Sequence, residues 1–555
     1  AGIYREKRGE SMSKNQGASF LKGAAILGAG ALLSKMLGVV YRIPYQNITG
    51  DLGYYVYTQV YPLYSALLIL ATAGFPIAIS KFVAEKLAIG DVYGARKIFR
   101  VSAGVLALTG FFFFILLWFS APALAGFMKD ERLVMPIRSV SFALLVVPIM
   151  AAMRGYFQGH HDMVPTAVSQ IGEQFVRVAT IIVLSYWFMK TTGDVYLAGS
   201  GAVFGAVTGA SFAFIVMLFF WRRNQKVQQQ LWDSTAVERT YKQETVGEIA
   251  RKLFYYAIPI CLGSLVLPLM QISDSFTVVS MLIRGGSTAE AAYQLKGIFD
   301  RGQPLVQFAA FFATALSLSL VPAIAEARAL NQHRLIAART ELALRLTFLF
   351  GLPASIGLSI VAGPVNVMLY ENGNGTTALT VLAFTTIFST LGITSAGILQ
   401  GMGEVNLPVR NLLVGVVVKL LLNILLIPVL GINGAALSTV CAYMVSTLLN
   451  LYAVVHLTRA RFGLRSFFIK PFVAVTMMGL AAYVARQVAE RGLLEWFPSP
   501  RLYYTGVSLI AVGAGVVMYT VALFLSGTVR RTDLESTKAG RKLVPLLLKL
   551  RLLHE

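Results

Sequence analysis

Charged side chains stand in stretches of this chain that are otherwise too apolar to hold them. A charge at the centre of a bilayer costs at least ~2.5–3.5 kcal/mol, so each one needs a physical reason. In the first apolar run these residues are Lys22, Lys35 and Arg42. Lys22 lies close enough to the end of the run to snorkel to the interface. Lys35 and Arg42 are seven residues apart, two helical turns, and so share a face. They either point together into a wet cavity and hold an anion, or Arg42 snorkels. Further on, Lys296, Asp300 and Arg301 precede Gly302-Gln303-Pro304. Lys296 and Asp300 are spaced i, i+4 and can neutralise each other, which leaves the planar guanidinium of Arg301 for a phosphate. Asp274, with Gln271 in the preceding run, is an alternative partner for one of these cations. Glu173 and Arg177 are again i, i+4, and Lys419 with Asn423 repeats the spacing. Each of those pairs is either helix–helix glue or part of a cavity wall. Arg154 reads as a snorkelling anchor.

The elements that must position these groups occur twice. Glu85 recurs as Glu326, 241 residues on; Gln158-Gly159 recurs as Gln400-Gly401, Asp162 as Glu404 and Arg177 as Lys419, each 242 residues on. Duplication within a hydrophobic chain points to a secondary transporter whose site lies between two halves. Apolar runs read against charge predict fourteen helices, at about 23–47, 55–80, 101–127, 137–158, 164–189, 197–221, 253–283, 292–324, 341–369, 377–401, 408–430, 434–457, 471–489 and 503–526. Six helices per repeat is an even number, so the repeats are expected to be parallel rather than inverted.

Composition agrees. The 555 residues are 56% hydrophobic and 13% charged, with mean hydropathy +0.68, against roughly 25% charge in soluble domains. The fold class is therefore an all-α polytopic membrane protein: fourteen transmembrane helices, in two parallel six-helix lobes plus two C-terminal helices. The divisions are 1–22 (N-terminus), 23–221 (helices one to six), 222–252 (basic linker), 253–457 (helices seven to twelve), 471–526 (the last two helices) and 527–555 (basic tail). Residues 1–11 precede Met12-Ser13-Lys14 and read as an appended segment. No cleavable signal peptide is expected, because the first apolar run is long.

The net charge of +22 follows the positive-inside rule rather than nucleic-acid binding. Lys81, Lys86, Arg96, Lys97 and Arg100 fall on the same expected side as Arg328, Arg334 and Arg339 and as the tail, which places both termini in the cytoplasm. Leucines and cations in 541–551 fit either an interfacial helix on an anionic leaflet or a disordered end. Cys261 and Cys441, both in apolar runs, read as packing residues. No phosphate-binding Gly-x-x-x-x-Gly-Lys-Ser/Thr loop occurs, and His160-His161-Asp162 lacks the spacing of a zinc hydrolase. A transporter without metal or cofactor is expected, with a coupling cation left open.

Several motifs then stand together: Ser34-Lys35-Met36-Leu37-Gly38 with Arg42, Gly74-Phe75-Pro76 through Ala84-Glu85, Asp300-Arg301 with Pro304, and Leu320-Val321-Pro322. With fourteen spans, they make the chain similar to the multidrug/oligosaccharidyl-lipid/polysaccharide (MOP) exporter superfamily. Within it, the chain resembles the MurJ family of bacterial lipid II flippases and its sporulation and polysaccharide-transporter relatives. The resemblance implies alternating access that carries an undecaprenyl-pyrophosphate-linked sugar between leaflets of the bacterial cytoplasmic membrane. It also implies a cationic cavity for the pyrophosphate and a groove for the lipid tail beside the last two helices. Carried over by position, Lys35, Arg42, Asp300 and Arg301 are the cavity candidates, with Lys296 and Asp274 beside them. Family members carry arginines after a Leu-Pro in helix two, where this chain has Pro62-Leu63-Tyr64-Ser65-Ala66. The expected partners are a lipid-linked glycan, membrane lipids and cell-wall synthesis enzymes, with no nucleic acid, and the chain is expected to act as a monomer. Rival readings are a cation-coupled drug or metabolite exporter of the same superfamily, a flippase for another lipid-linked polysaccharide, and a non-transporting scaffold.

Overall fold

The structure, a computed structural model, describes residues 36–233, 244–460, 465–492 and 499–527, together with 30, 33, 34, 462 and 463. Lys22, Lys35, the centre of the linker and the basic tail lie outside the described residues. Among the described residues the regular elements are all helical, and twelve helices are long and apolar enough to cross a membrane. One of these, Met36–Ala88, runs from the expected helix one through helix two. The all-α multi-pass architecture is therefore as expected.

By Cα proximity the chain divides between Phe276 and Thr277 into two compact units. The first holds α1 (Arg42–Thr72), α2 (Phe75–Ala88), α3 (Val92–Phe127), α4 (Val134–Ser141), α5 (Ala143–Gly159), α6 (Val164–Thr191), α7 (Val195–Asp233), α8 (Val246–Ser264) and the start of α9 (Val266–Arg284). The division thus falls inside helix seven, beyond the linker that the sequence offers as a boundary. The reason is close packing. Ile249, Leu253, Ala257 and Cys261 of α8 share a core with Phe75, Ile79 and Val83 of α2. At Gly74 an added Cβ would lie 2.3 Å from the Ala257 carbonyl, so only glycine admits this approach. Both cysteines are free thiols.

The second unit continues with α10 (Ala289–Asp300), α11 (Gln303–Ala329), α12 (His333–Tyr370), α13 (Thr376–Leu382), α14 (Thr385–Gly401), α15 (Asn406–Leu430), α16 (Ile432–Thr458), α17 (Lys470–Gly492) and α18 (Pro500–Leu525). Local chemistry sets several starts. The Asp91 side chain accepts from Gly94 N–H, Thr245 and Glu248 form a capping box, and Ser499 caps α18 ahead of Pro500, each satisfying donors that a helix start leaves open. Inside α1, Gly50 has φ 70° and ψ −174°, a region open essentially to glycine alone. It turns the chain from helix one to helix two without a loop.

The duplication visible in the sequence recurs in the backbone. Three pairs of residues take left-handed φ at matching places: Gly90 and Asn331, Lys129 and Glu371, His161 and Gly403. The helix that α4 and α5 form is interrupted at Phe142, and that of α13 and α14 at Ala383-Phe384, with Phe384 242 residues after Phe142. At Gly159 an added Cβ would sit 2.7 Å from Val83 Cβ and 2.9 Å from the Ser80 carbonyl. At Gly401 the corresponding atoms are Ile324 Cβ and the Val321 carbonyl, both at 2.9 Å. The glycine of the repeated Gln-Gly is thus a close helix-packing contact in each unit.

Candidate functional site

In the first unit the polar groups converge on α1, α5 and α6. Glu173 sits between two guanidiniums: Arg177 Nη2 lies 2.6 Å from Oε1, and Arg154 Nη2 lies 2.9 Å from Oε2. Arg154 Nε also donates to Ser169 Oγ at 3.0 Å. Arg154 is therefore not a snorkelling anchor, because a carboxylate on the neighbouring helix holds it at 12% side-chain exposure. Glu173 and Arg177 form the i, i+4 pair that their spacing allows.

Facing this cluster is a run of tyrosines that sequence reasoning passed over: Tyr41, Tyr45, Tyr54, Tyr55, Tyr57, Tyr61 and Tyr64. Tyr57 and Tyr61 stack with ring centroids 5.4 Å apart, and Tyr61 meets Tyr64 edge-on at 6.0 Å. The hydroxyls of Tyr41 and Tyr57 bond each other. Tyr57 and Tyr61 lie within electrostatic reach of both Arg42 and Arg177, so one aromatic wall joins the two cations. Several buried polar atoms here have no hydrogen-bond partner among the described residues: Arg42 Nε, Arg177 Nε, Tyr64 Oη and Gln59 Oε1. A buried donor without an acceptor costs about 1–3 kcal/mol, which applies to the two Nε–H groups; Gln59 Oε1 is an acceptor. Glu173 is shared by Arg154 and Arg177, and Arg42 lies on the same tyrosine wall. The signal available in the sequence was tyrosine density in residues 41–64. Asp274 is buried on α9, next to Ser275, whose carbonyl accepts from Gln59 Nε2.

The second unit treats its charges differently. Lys296 and Asp300 pair within α10, both nearly inaccessible. Arg301 is 1% exposed and does not stand open for a ligand phosphate in this conformation. Its Nη2 donates to Asn372 Oδ1 at 2.8 Å and to the Asn374 carbonyl. The Tyr370 hydroxyl donates in return to the Arg301 carbonyl at 2.7 Å, and its ring lies 5.0 Å from the guanidinium. The Asn-Gly-Asn-Gly turn is thus a socket for Arg301, which the sequence shows only as a loop. Lys419 and Asn423 are buried on α15, and Asn423 Nδ2 donates to Thr277 Oγ1 at 2.9 Å. Among the described residues no three His, Cys, Asp or Glu side chains gather as a metal site.

A sequence profile of the polysaccharide biosynthesis protein family matches residues 20–328. The membrane protein YabM of Bacillus subtilis is 38% identical over 431 residues, 78% of this chain and 79% of YabM. The lipid II flippase MurJ of the same bacterium is 30% identical over 520 residues, 90% of this chain and 94% of MurJ. The chain belongs to this family. Among solved structures, lipid II flippase MurJ in an inward closed conformation aligns with TM-score 0.62 and 14% identity, over 90% of this chain and 98% of that one. An inward-facing multidrug-resistance transporter of the MATE family aligns with TM-score 0.58 and 15% identity, over 77% and 96%. The polysaccharide biosynthesis protein family thus joins this chain to the MOP superfamily fold, as the motifs imply. The chain is a multi-pass membrane transporter and not an enzyme.

Proposed function

We propose that this transporter is a flippase that moves an undecaprenyl-pyrophosphate-linked cell-wall precursor, lipid II foremost, from the inner to the outer leaflet of the bacterial cytoplasmic membrane by alternating access. Both termini are cytoplasmic in this reading. What supports it is the pair of buried guanidinium Nε–H groups on Arg42 and Arg177, which have no acceptor among the described residues, in a chain that aligns with MurJ over 90% of its length. A pyrophosphate cannot enter hydrocarbon bare. The first-unit cations replace part of its hydration, and the tyrosine wall supplies hydroxyl donors and flat faces for the sugar. Lys35, seven residues before Arg42 in the sequence, is a further candidate cation. Lys296, Asp300, Arg301 and Asp274 are further substrate-binding candidates that a different conformation would have to open, and Lys22, Lys419 and Asn423 are secondary. No cofactor takes part. An anionic head group moving outward gains ~2.3 kcal/mol per charge per 100 mV of inside-negative potential, which can drive the step with or without a coupling cation. Cell-wall synthases that consume the product are the partners expected of a monomer.

The test is depletion of the protein in cells that have no second flippase, followed by leaflet assignment of the precursor. Inner-leaflet accumulation is expected, and Arg42→Ala should fail to reverse it. Precursor that keeps reaching the outer leaflet at the normal rate would overturn the reading. Loss of drug efflux alone would favour a cation-coupled exporter, and full complementation by both Arg42→Ala and Arg177→Ala would favour a scaffold.

A further inference from the structure

A proline inside a helix has no N–H, so the carbonyl four residues earlier loses its partner. In a membrane that carbonyl must find another donor, because no water is there to supply one. Helix α12 contains two such prolines, Pro353 and Pro364, which free the carbonyls of Leu349 and Ile360. Each receives a side-chain donor from a different C-terminal helix. Tyr519 of α18 donates its hydroxyl to the Leu349 carbonyl at 2.6 Å. Arg486 of α17 donates Nη1 to the Ile360 carbonyl at 2.8 Å. A third open carbonyl, that of Met368 in the last turn of α12, accepts from Arg501 Nε of α18 at 3.1 Å. Glu490 orients Arg486 through a 2.7 Å bond to its Nε, and the Tyr503 hydroxyl ties α18 back to the Glu490 carbonyl at 2.6 Å.

We propose that Arg486 and Tyr519 are positioning residues that key the last two helices into proline-made sockets on α12, so that α12, α17 and α18 move as one module. The pairing is specific: each proline opens one socket, and one side chain fills it. A proline socket is worth nothing to the fold unless its key is present, and a key is worth little once the socket is closed. Replacing Pro364 by alanine returns to Ile360 a donor from its own helix and closes the Arg486 socket. Pro353→Ala does the same for Tyr519.

The test is a pair of mutant cycles on the full chain, with Met478→Cys as reporter. Met478 is 6% exposed and lies against Gly357 of α12 and Gly515 of α18. The maleimide labelling rate of this cysteine reports opening of the module. Arg486→Met should speed labelling at least about tenfold, and Arg486→Lys, which keeps a donor, should speed it much less. In the Pro364→Ala background, Arg486→Met should fall to within about twofold of its parent, whereas Pro353→Ala should give no rescue. Tyr519→Phe should show the reverse pattern. Effects that simply multiply, rescue by the wrong proline, or an Arg486→Lys rate equal to that of Arg486→Met would each overturn the proposal.

Discussion

Helices α3 and α12 are the same element in the two units, and they solve one problem in two ways. Pro122 in α3 and Pro364 in α12 are 242 residues apart, and the carbonyls they free, of Trp118 and Ile360, keep the same spacing. In the first unit the donor is local: Arg138 of α4 reaches the Trp118 carbonyl with Nε at 3.4 Å and lies over the Trp118 ring at 5.1 Å. In the second unit the residue matching Arg138 is Thr380, and the donor comes from Arg486 on a helix with no counterpart in the first half. The duplicated proline thus frees a carbonyl that takes a local donor in one unit and a C-terminal-helix donor in the other. The units differ in buried charge as well. Glu173, Arg154 and Arg177 form an ion cluster, and their equivalents are Gly415, Ala396 and Lys419.

The largest effect should come from that cluster. Glu173→Ala leaves two buried guanidiniums without their carboxylate and is expected to cost about 3–5 kcal/mol, read by thermal unfolding in detergent. Adding Arg154→Ala, which moves the first unit toward the second, should recover part of the loss; a further drop would mean the cluster is not what separates the units. Next are the paired glycines. Gly159→Ala and Gly401→Ala each push a methyl against a neighbouring backbone carbonyl 2.9 Å away and should destabilise by similar amounts, about 1–3 kcal/mol. A large inequality between them would show that the two packing contacts have diverged. Arg138→Met should cost less, about 0.5–1.5 kcal/mol, because its bond is long, and Pro122→Ala should abolish the effect.

The smallest effect is a pH dependence confined to the first unit. His160 occupies the turn whose counterpart is Met402, its ring 4.2 Å from that of Tyr156. Burial is the main cause holding its imidazole below the ordinary histidine value of about 6.5. The unfolded chain therefore binds this proton more readily than the folded one. The neutral ring's contribution is intact above pH 6.5 and is lost as pH falls from there through the depressed folded value. Thermal midpoints followed across that window should decline for the parent and stay flatter for His160→Met. Parallel curves would show that His160 does not titrate in this way.

Much of this was legible in the residues. Hydrophobic runs and charged loops gave the helices, and the repeats at 241 and 242 residues anticipated matching backbone turns and glycine contacts. The i, i+4 pairs Glu173–Arg177 and Lys296–Asp300 form as their spacing permits. What spacing could not give was any partner far away in the chain. Arg154 meets Glu173 19 residues later, Arg301 meets a turn 71 residues later, and Arg486 meets a carbonyl 126 residues earlier. The tyrosines of 41–64 went unread as a site because an aromatic run in a membrane chain looks like packing until its hydroxyls are placed.

The interruption shared by Phe142 and Phe384 has a mechanical consequence. At each, the hydrogen bonding tightens locally, with Leu145 N–H on the Phe142 carbonyl and Thr386 N–H on the Ala383 carbonyl. Such i to i+3 bonds grip less well than the regular ladder. On one side of each joint the long segment is pinned by glycine contacts, at Gly155 and Gly159 or at Gly397 and Gly401. On the other side, the short segment would act as a lever arm only by giving up its own packing, which in the first unit includes the 2.9 Å bond from Ser139 Oγ to the Ser200 carbonyl. In the first unit that arm carries Arg138, so swinging it would uncover the Trp118 carbonyl. In the second unit the equivalent carbonyl is held by α17, and the arm can pivot without exposing it.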